Sequence, residues 1–283
     1  MVGNPRILAL TSQPGVETSA LGGVLARDED EGARVHLVCA TLGESGRDGA
    51  SQRPLPAAVL GRLRERELHA AAEVLGIQET VTLGYPDGAV GTIDPFRLQM
   101  DLAAHIRRLR PHVVLVIGRQ GPGGDPDRTA IAEATHAAIL AAARHSAPVP
   151  GGHTPHAVRK VYERVWSEAG AASEGGVGWL PGRDGTPSLP LTPEWMVTTV
   201  VRTREHAHRA RAARRCHRSR PFCTHPGAPA TEDAPSVAWD RAEFIRSLST
   251  VEVPSGLEED LLAGIRRYEA RSFRADRISA SAA

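Results

Sequence analysis

The chain has 283 residues, 34 Lys+Arg against 33 Asp+Glu, and a formal charge of +1. So close a balance excludes the global field that drives binding to nucleic acid or to a membrane surface. The length is enough for a sizeable core, in one large domain or two small ones. Three cysteines at irregular spacing make no disulfide framework, which fits a reducing compartment. No apolar run approaches 18 residues and no charged-then-apolar leader opens the chain, so the expectation is a cytoplasmic protein with no membrane partner. Arginine carries almost all the positive charge; Lys160 is the only lysine.

Short apolar runs alternate with helical periods through the first half. The pattern predicts strands near residues 7–10, 35–39, 80–83 and 113–117, and helices near 20–30, 57–75, 96–109 and 126–143. Such alternation implies crossover units and a largely parallel sheet with helices on both faces. Ligands then bind beyond the carboxyl ends of the strands. Three loops should converge there, at residues 13–17, 44–47 and 121–128. A fifth strand is expected over 158–167, an irregular Gly/Pro/Ser-rich stretch over 168–193, a strand over 196–201 and a helix over 204–218. Residues 221–235 read as a second loose segment, 257–268 as a final amphipathic helix, and the tail after 278 as frayed. The division predicted is one domain over 1–283: a Rossmann-like core over 1–167, and a C-terminal cap over 168–283 that completes the fold.

The informative motif follows the first strand: Thr11-Ser12-Gln13-Pro14-Gly15-Val16-Glu17-Thr18. Another, Asp125-Pro126-Asp127-Arg128, opens the helix after the fourth strand. Between them lie Thr41-Leu42-Gly43-Glu44-Ser45-Gly46, Arg64-Glu65-Arg66-Glu67-Leu68 and Leu83-Gly84-Tyr85-Pro86-Asp87-Gly88. Near the end come residues 200–204 and then 211–219, which include His217. In this order the segments resemble the LmbE-like (PIG-L) family of zinc-dependent N-deacetylases and amidases, the last pair resembling its mycothiol-related members. The resemblance covers most of the chain and implies the LmbE-like α/β fold.

The departures from the family pattern are specific. Family members read Ala-His-Pro-Asp-Asp-Glu in the first loop and His-Pro-Asp-His in the second. The resemblance therefore puts Gln13 and Val16 at two metal-ligand positions, Gly15 at the catalytic-base position, Asp125 at the first His, and Arg128 at the remaining ligand. A catalytic zinc needs His and carboxylate donors with one open position. Gln13 offers a neutral amide oxygen, Val16 offers no donor, and Arg128 brings a permanent cation. No His-x-x-Asp near Gln13 supports a shifted register. The expectation is a site without metal or other cofactor.

Glu17, Asp125 and Asp127 remain as candidate acid–base residues for other chemistry, or as holders of loop structure. Arg128 is expected within roughly 2.7–3.2 Å of one of them. Glu44, Arg64 and Asp87 match positions that line the family's sugar or inositol pocket, so a polar, sugar- or polyol-like ligand is the expected partner; the bland alternative makes Arg64 and Glu67 solvated helix charges. Gly121-Pro122-Gly123-Gly124 lacks the Lys-Ser/Thr of a phosphate loop. His206, His208, Cys216, His217, Cys223 and His225 fit no standard zinc spacing. The arginines from Arg202 to Arg220 read as a solvated face; an anionic partner is the sharper alternative, and nucleic acid is not expected, because no aromatic residues interleave to stack bases. Oligomer formation is left open.

Three functions are consistent with these residues: a deacetylase homologue turned pseudoenzyme or ligand-binding protein, an enzyme with metal-independent chemistry in the same pocket, and a hydrolase of C–N amide bonds with an unrecognised metal arrangement.

Overall fold

The structure is a computed structural model, and it describes residues 4–46, 55–119, 125–173, 191–220 and 240–265. The expected strand–helix alternation is present. In chain order it runs β1 (Arg6–Thr11), α1 (Val16–Asp30), β2 (Arg34–Cys39), α2 (Ala57–Leu75), β3 (Glu79–Thr82), α3 (Pro95–Leu109), β4 (Val113–Ile117) and α4 (Pro126–Ala143). The second half adds β5 (Lys160–Val165), α5 (Glu168–Ser173), β6 (Thr199–Arg202), α6 (Ala207–Cys216) and β7 (Arg241–Ser249).

These strands form one sheet in the order β3-β2-β1-β4-β5-β7-β6, parallel from β3 to β5 and antiparallel where β7 pairs with β5 and β6. β1 shows why the sheet is covered on both sides. Its side chains alternate, so Ile7 and Ala9 pack with Leu21 and Leu25 of α1 and Leu68 and Leu75 of α2. Leu8 and Leu10 pack with Leu102 and Ile106 of α3 and Ile131 and Ile139 of α4. The chain reverses its direction of winding between β1 and β4, and the crevice beyond their carboxyl ends is the topological switch point. No helix among the described residues is long and apolar enough to cross a membrane.

Four expectations need correction. Residues 257–264 are not a helix: Glu258 bridges to Thr199, and 261–264 form turns. The reason is electrostatic, because the Glu258 carboxylate is drawn into the sheet by Lys160, Tyr162, Arg246 and Thr199. The helix expected over 204–218 is split, with a 3-10 turn at Arg204–His206, and α6 ends at Cys216, leaving His217 beyond it. The stretch after 167 begins with α5 before passing outside the described residues. β7 has no counterpart in the expected elements. The loose segment at 221–235 and the tail lie outside the described residues.

Candidate functional site

Each rim residue is placed by a strand end or a helix start. Gly15 precedes α1 with φ +91°, in the left-handed region that favours glycine. The same turn lets its N–H donate to Glu17 Oε2 at 2.7 Å. Asp125 caps α4, accepting from Asp127 N at 3.0 Å, with Pro126 supplying a preset first-turn φ. Ser12 Oγ at the end of the β1 segment donates to Asp125 Oδ2 at 3.0 Å, which ties the first and fourth loops together.

The expected convergence of loops is seen in these bonds. Glu44 accepts Leu42 N at 3.2 Å and Asp87 N at 2.8 Å. Asp87 accepts Thr41 Oγ1 at 3.1 Å and Ser45 N at 3.2 Å, and also the Ser45 hydroxyl. Asp127 accepts Gly88 N at 2.6 Å and Val90 N at 2.9 Å, so the third loop is fastened to α4. Burial pushes the Asp127 carboxyl above its ordinary pKa; the two backbone donors oppose this, and the like charges of Asp125 and Asp87 add to it. Arg47 and residues 120–124 of these loops lie outside the described residues.

Arg64 and Glu67 are not solvated helix charges. Both are buried, at 4% and 8% exposure. Arg64 donates to Gly43 O and to the Ser219 hydroxyl and carbonyl, while Glu67 accepts Ser219 N at 2.9 Å and Ser219 Oγ at 2.6 Å. α2 packs on α6, so two polar residues of α2 reach the turn that ends α6. Glu44, Arg64 and Asp87 therefore hold the loops to one another through internal bonds.

Glu17 is fully buried, and His217 Nε2 meets its Oε1 at 2.6 Å. Sequence reasoning had located His217 in a motif without assigning it a partner. Arg220, one residue beyond Ser219, does not join the solvated face expected for the arginines from Arg202 to Arg220. The Arg220 guanidinium donates to Pro14 O and lies across Gly15. A Cβ at position 15 would sit 3.0 Å from Arg220 Cδ and 3.2 Å from its Nη1. An acidic side chain there would have to displace Arg220 and also adopt a left-handed backbone.

Arg128 is buried at 7% exposure. Burial draws its guanidinium below the ordinary pKa, and the Asp125 charge works against that shift. Glu17 is held by His217 and Gly15, and Asp127 by two backbone N–H groups. Asp125 is the carboxylate that acts on Arg128.

The donor set does not fit the zinc that the family resemblance implies. An amide, an alkyl group and a buried guanidinium stand at the three ligand positions, and a guanidinium repels a dication. Among the described residues the grouping with three metal-capable side chains is Asp28, Glu31 and Asp260. It lies at the far end of α1, roughly 20 Å from the rim at 1.5 Å per residue.

The GlcNAc-PI de-N-acetylase family, PIG-L, matches residues 8–139. The 1D-myo-inositol 2-acetamido-2-deoxy-alpha-D-glucopyranoside deacetylase of Rhodococcus jostii is 32% identical, over 92% of this chain and 98% of its own. N,N'-diacetylchitobiose deacetylase from Pyrococcus horikoshii shares the fold with a TM-score of 0.58 at 17% identity, covering 76% of this chain and 70% of that one. GalB, the 4-carboxy-2-hydroxymuconate hydratase of Pseudomonas putida, does so with a TM-score of 0.61 at 17% identity, covering 88% and 99%. The first relative carries the kinship through nearly its whole length, and the chain therefore belongs to the PIG-L family of deacetylases.

Proposed function

We propose that this chain is a pseudoenzyme of the deacetylase family, a metal-free protein that keeps the family pocket to bind a sugar- or polyol-like ligand. One contrast carries the reading. The supporting bonds are intact at Glu17–His217, at Asp127 with Gly88 and Val90, and at Glu67–Ser219. The positions that would hold and activate a metal-bound water are Gln13, Val16, Arg128 and Gly15. Selection for the pocket's shape, without selection for hydrolysis, produces such a pattern. The ligand class rests on relatives such as the inositol glucosaminide deacetylase of Rhodococcus jostii.

Elemental analysis after purification without a metal-affinity tag tests the reading, together with turnover of an N-acetylglucosaminyl inositol. Well under one equivalent of zinc and no chelator-sensitive turnover are expected. Restoring Gln13→His alone should not help, because such parts act as a unit. Stoichiometric zinc that is lost in Gln13→Ala, or turnover blocked by chelator, overturns it.

A second reading, proton transfer without metal at Asp125 or Asp127, draws support from the raised Asp127 pKa. The fold kinship with a hydratase shows that the scaffold carries chemistry other than deacetylation. A reaction whose pH profile changes in Asp127→Asn would favour it over the pseudoenzyme.

A further inference from the structure

Two grooves away from the rim differ in how their arginines are matched. The larger, of about 1070 Å³, lies beside β6 and the end of α1, and its cations face carboxylates. Arg27 meets Glu31 at 3.0 Å, Arg204 meets Asp240 at 3.1 Å and Arg202 meets Glu259 at 3.8 Å. Its charges cancel. The smaller, of about 500 Å³, runs between α2 and α6. Arg66 stands on one wall, Arg215 on the other, and Arg218 beyond the end of α6. All three are exposed, and none of their side chains has an ion pair or hydrogen bond among the described residues. Glu67 is the acid in the lining, but both its oxygens are taken by Ser219. Three cations thus share one concavity with a single acid, Glu67, in its lining, held together by the packing of α2 on α6.

We propose that this groove binds a small organic phosphomonoester. The volume lies within the roughly 300–1,000 Å³ of small-molecule sites. Its short lining is far from the roughly 20–30 residues a side of a standard protein interface. A phosphomonoester brings about −1.5 to −2 charges and three acceptor oxygens, enough for two or three guanidinium forks. A single carboxylate would leave two of the three cations unmatched. Ala70, Ala212 and the half-buried Cys216 supply a less polar floor for the carbon skeleton. The groove shares Glu67 with the bonds that hold Ser219, but its three arginines are none of the rim positions, and the proposal does not depend on the reading given for the rim.

The test is calorimetric titration with glucose 6-phosphate, glycerol 3-phosphate and inorganic phosphate in chloride buffer at constant ionic strength. In parallel, alkylation of Cys216 is followed by peptide mass spectrometry. At least one of the two esters should saturate, bind more tightly than inorganic phosphate and slow Cys216 alkylation. The Arg66→Gln/Arg215→Gln/Arg218→Gln protein should lose about tenfold or more in affinity, since charge-assisted contacts are removed, with its thermal melt unchanged. Arg97→Gln, an exposed arginine outside the groove, should bind as the parent does. Each single exposed Arg→Gln variant should show part of the loss, which keeps the test decisive if the triple variant misfolds. Saturation by neither ester, equal affinity for inorganic phosphate, unprotected Cys216, or undiminished binding by the folded arginine variants would overturn the proposal.

Discussion

Among the buried polar clusters of the described residues, two serve opposite ends. At the rim, carboxylates are met mainly by backbone N–H groups, hydroxyls and His217, so that loops from β1, β2, β3 and β4 are held in place around one crevice. Across the sheet, Glu258 is fully buried and accepts from Lys160, from Tyr162 at 2.6 Å, from Arg246 at 2.8 Å and from Thr199 at 3.1 Å. Burial works to raise the Glu258 carboxyl, but the Lys160, Tyr162 and Arg246 donors outweigh it and hold the group below its ordinary pKa. This second cluster is closed, with donors from β5, β6 and β7 converging on one carboxylate. The comparison teaches that burying charge can serve either to present a pocket or to lock a segment, and that the type of partner distinguishes the two.

The sharpest way to break the comparison is Glu258→Ala. It leaves Lys160, fully buried, without its carboxylate, and removing one member of a buried pair costs about 3–5 kcal/mol. Urea denaturation should show that loss, with the rim unaffected as judged by ligand binding. A cost under about 1 kcal/mol, the range of an exposed pair, would mean that the cluster does not lock the fold.

His217→Ala should cost less, about 1.5–3 kcal/mol for a hydrogen bond to a charged group, because Glu17 retains Gly15 N. It should weaken binding at the rim as well, since Gly15 and Glu17 set the first loop. If stability falls as far as in Glu258→Ala while binding is kept, the rim cluster is a lock and not a support.

The smallest effect concerns pH and a residue of neither cluster. Burial lowers His156 to about 4, although its ring N–H donates to Pro111 O at 2.7 Å. The unfolded chain takes up that proton near pH 6.5, so the contribution is present above that value and is lost as pH falls toward about 4. Unfolding free energy should decline over that window, and His156→Gln should flatten part of the decline. An unchanged slope would show that other groups set it.

The alternation of apolar and helical periods made β1 to β4 and the helices between them readable, because each buries a whole face and buried faces leave a periodic trace. β7 was not. Its run of Arg241, Glu243 and Arg246 looks too charged for a central strand, and those charges are accommodated by partners far along the chain, such as Glu258 and Ser167. The expected helix is absent over 257–264 for a related reason, since an amphipathic period there carries no sign that Glu258 will be taken up by Lys160.

By itself, then, the sequence determined the layered α/β core and the identity of the side chains at the family's ligand positions, because both are local patterns of residue type. Only the tertiary structure decided who partners whom. It brought His217 to Glu17, Ser219 to Glu67 and Arg64, and Arg220 over Gly15, across separations of 152 to 206 residues. It also left Arg66, Arg215 and Arg218 together without an ion pair among the described residues. Electrostatic and hydrogen-bond partners are chosen by distance in space, and that distance is set by how α2 and α6 pack on the sheet.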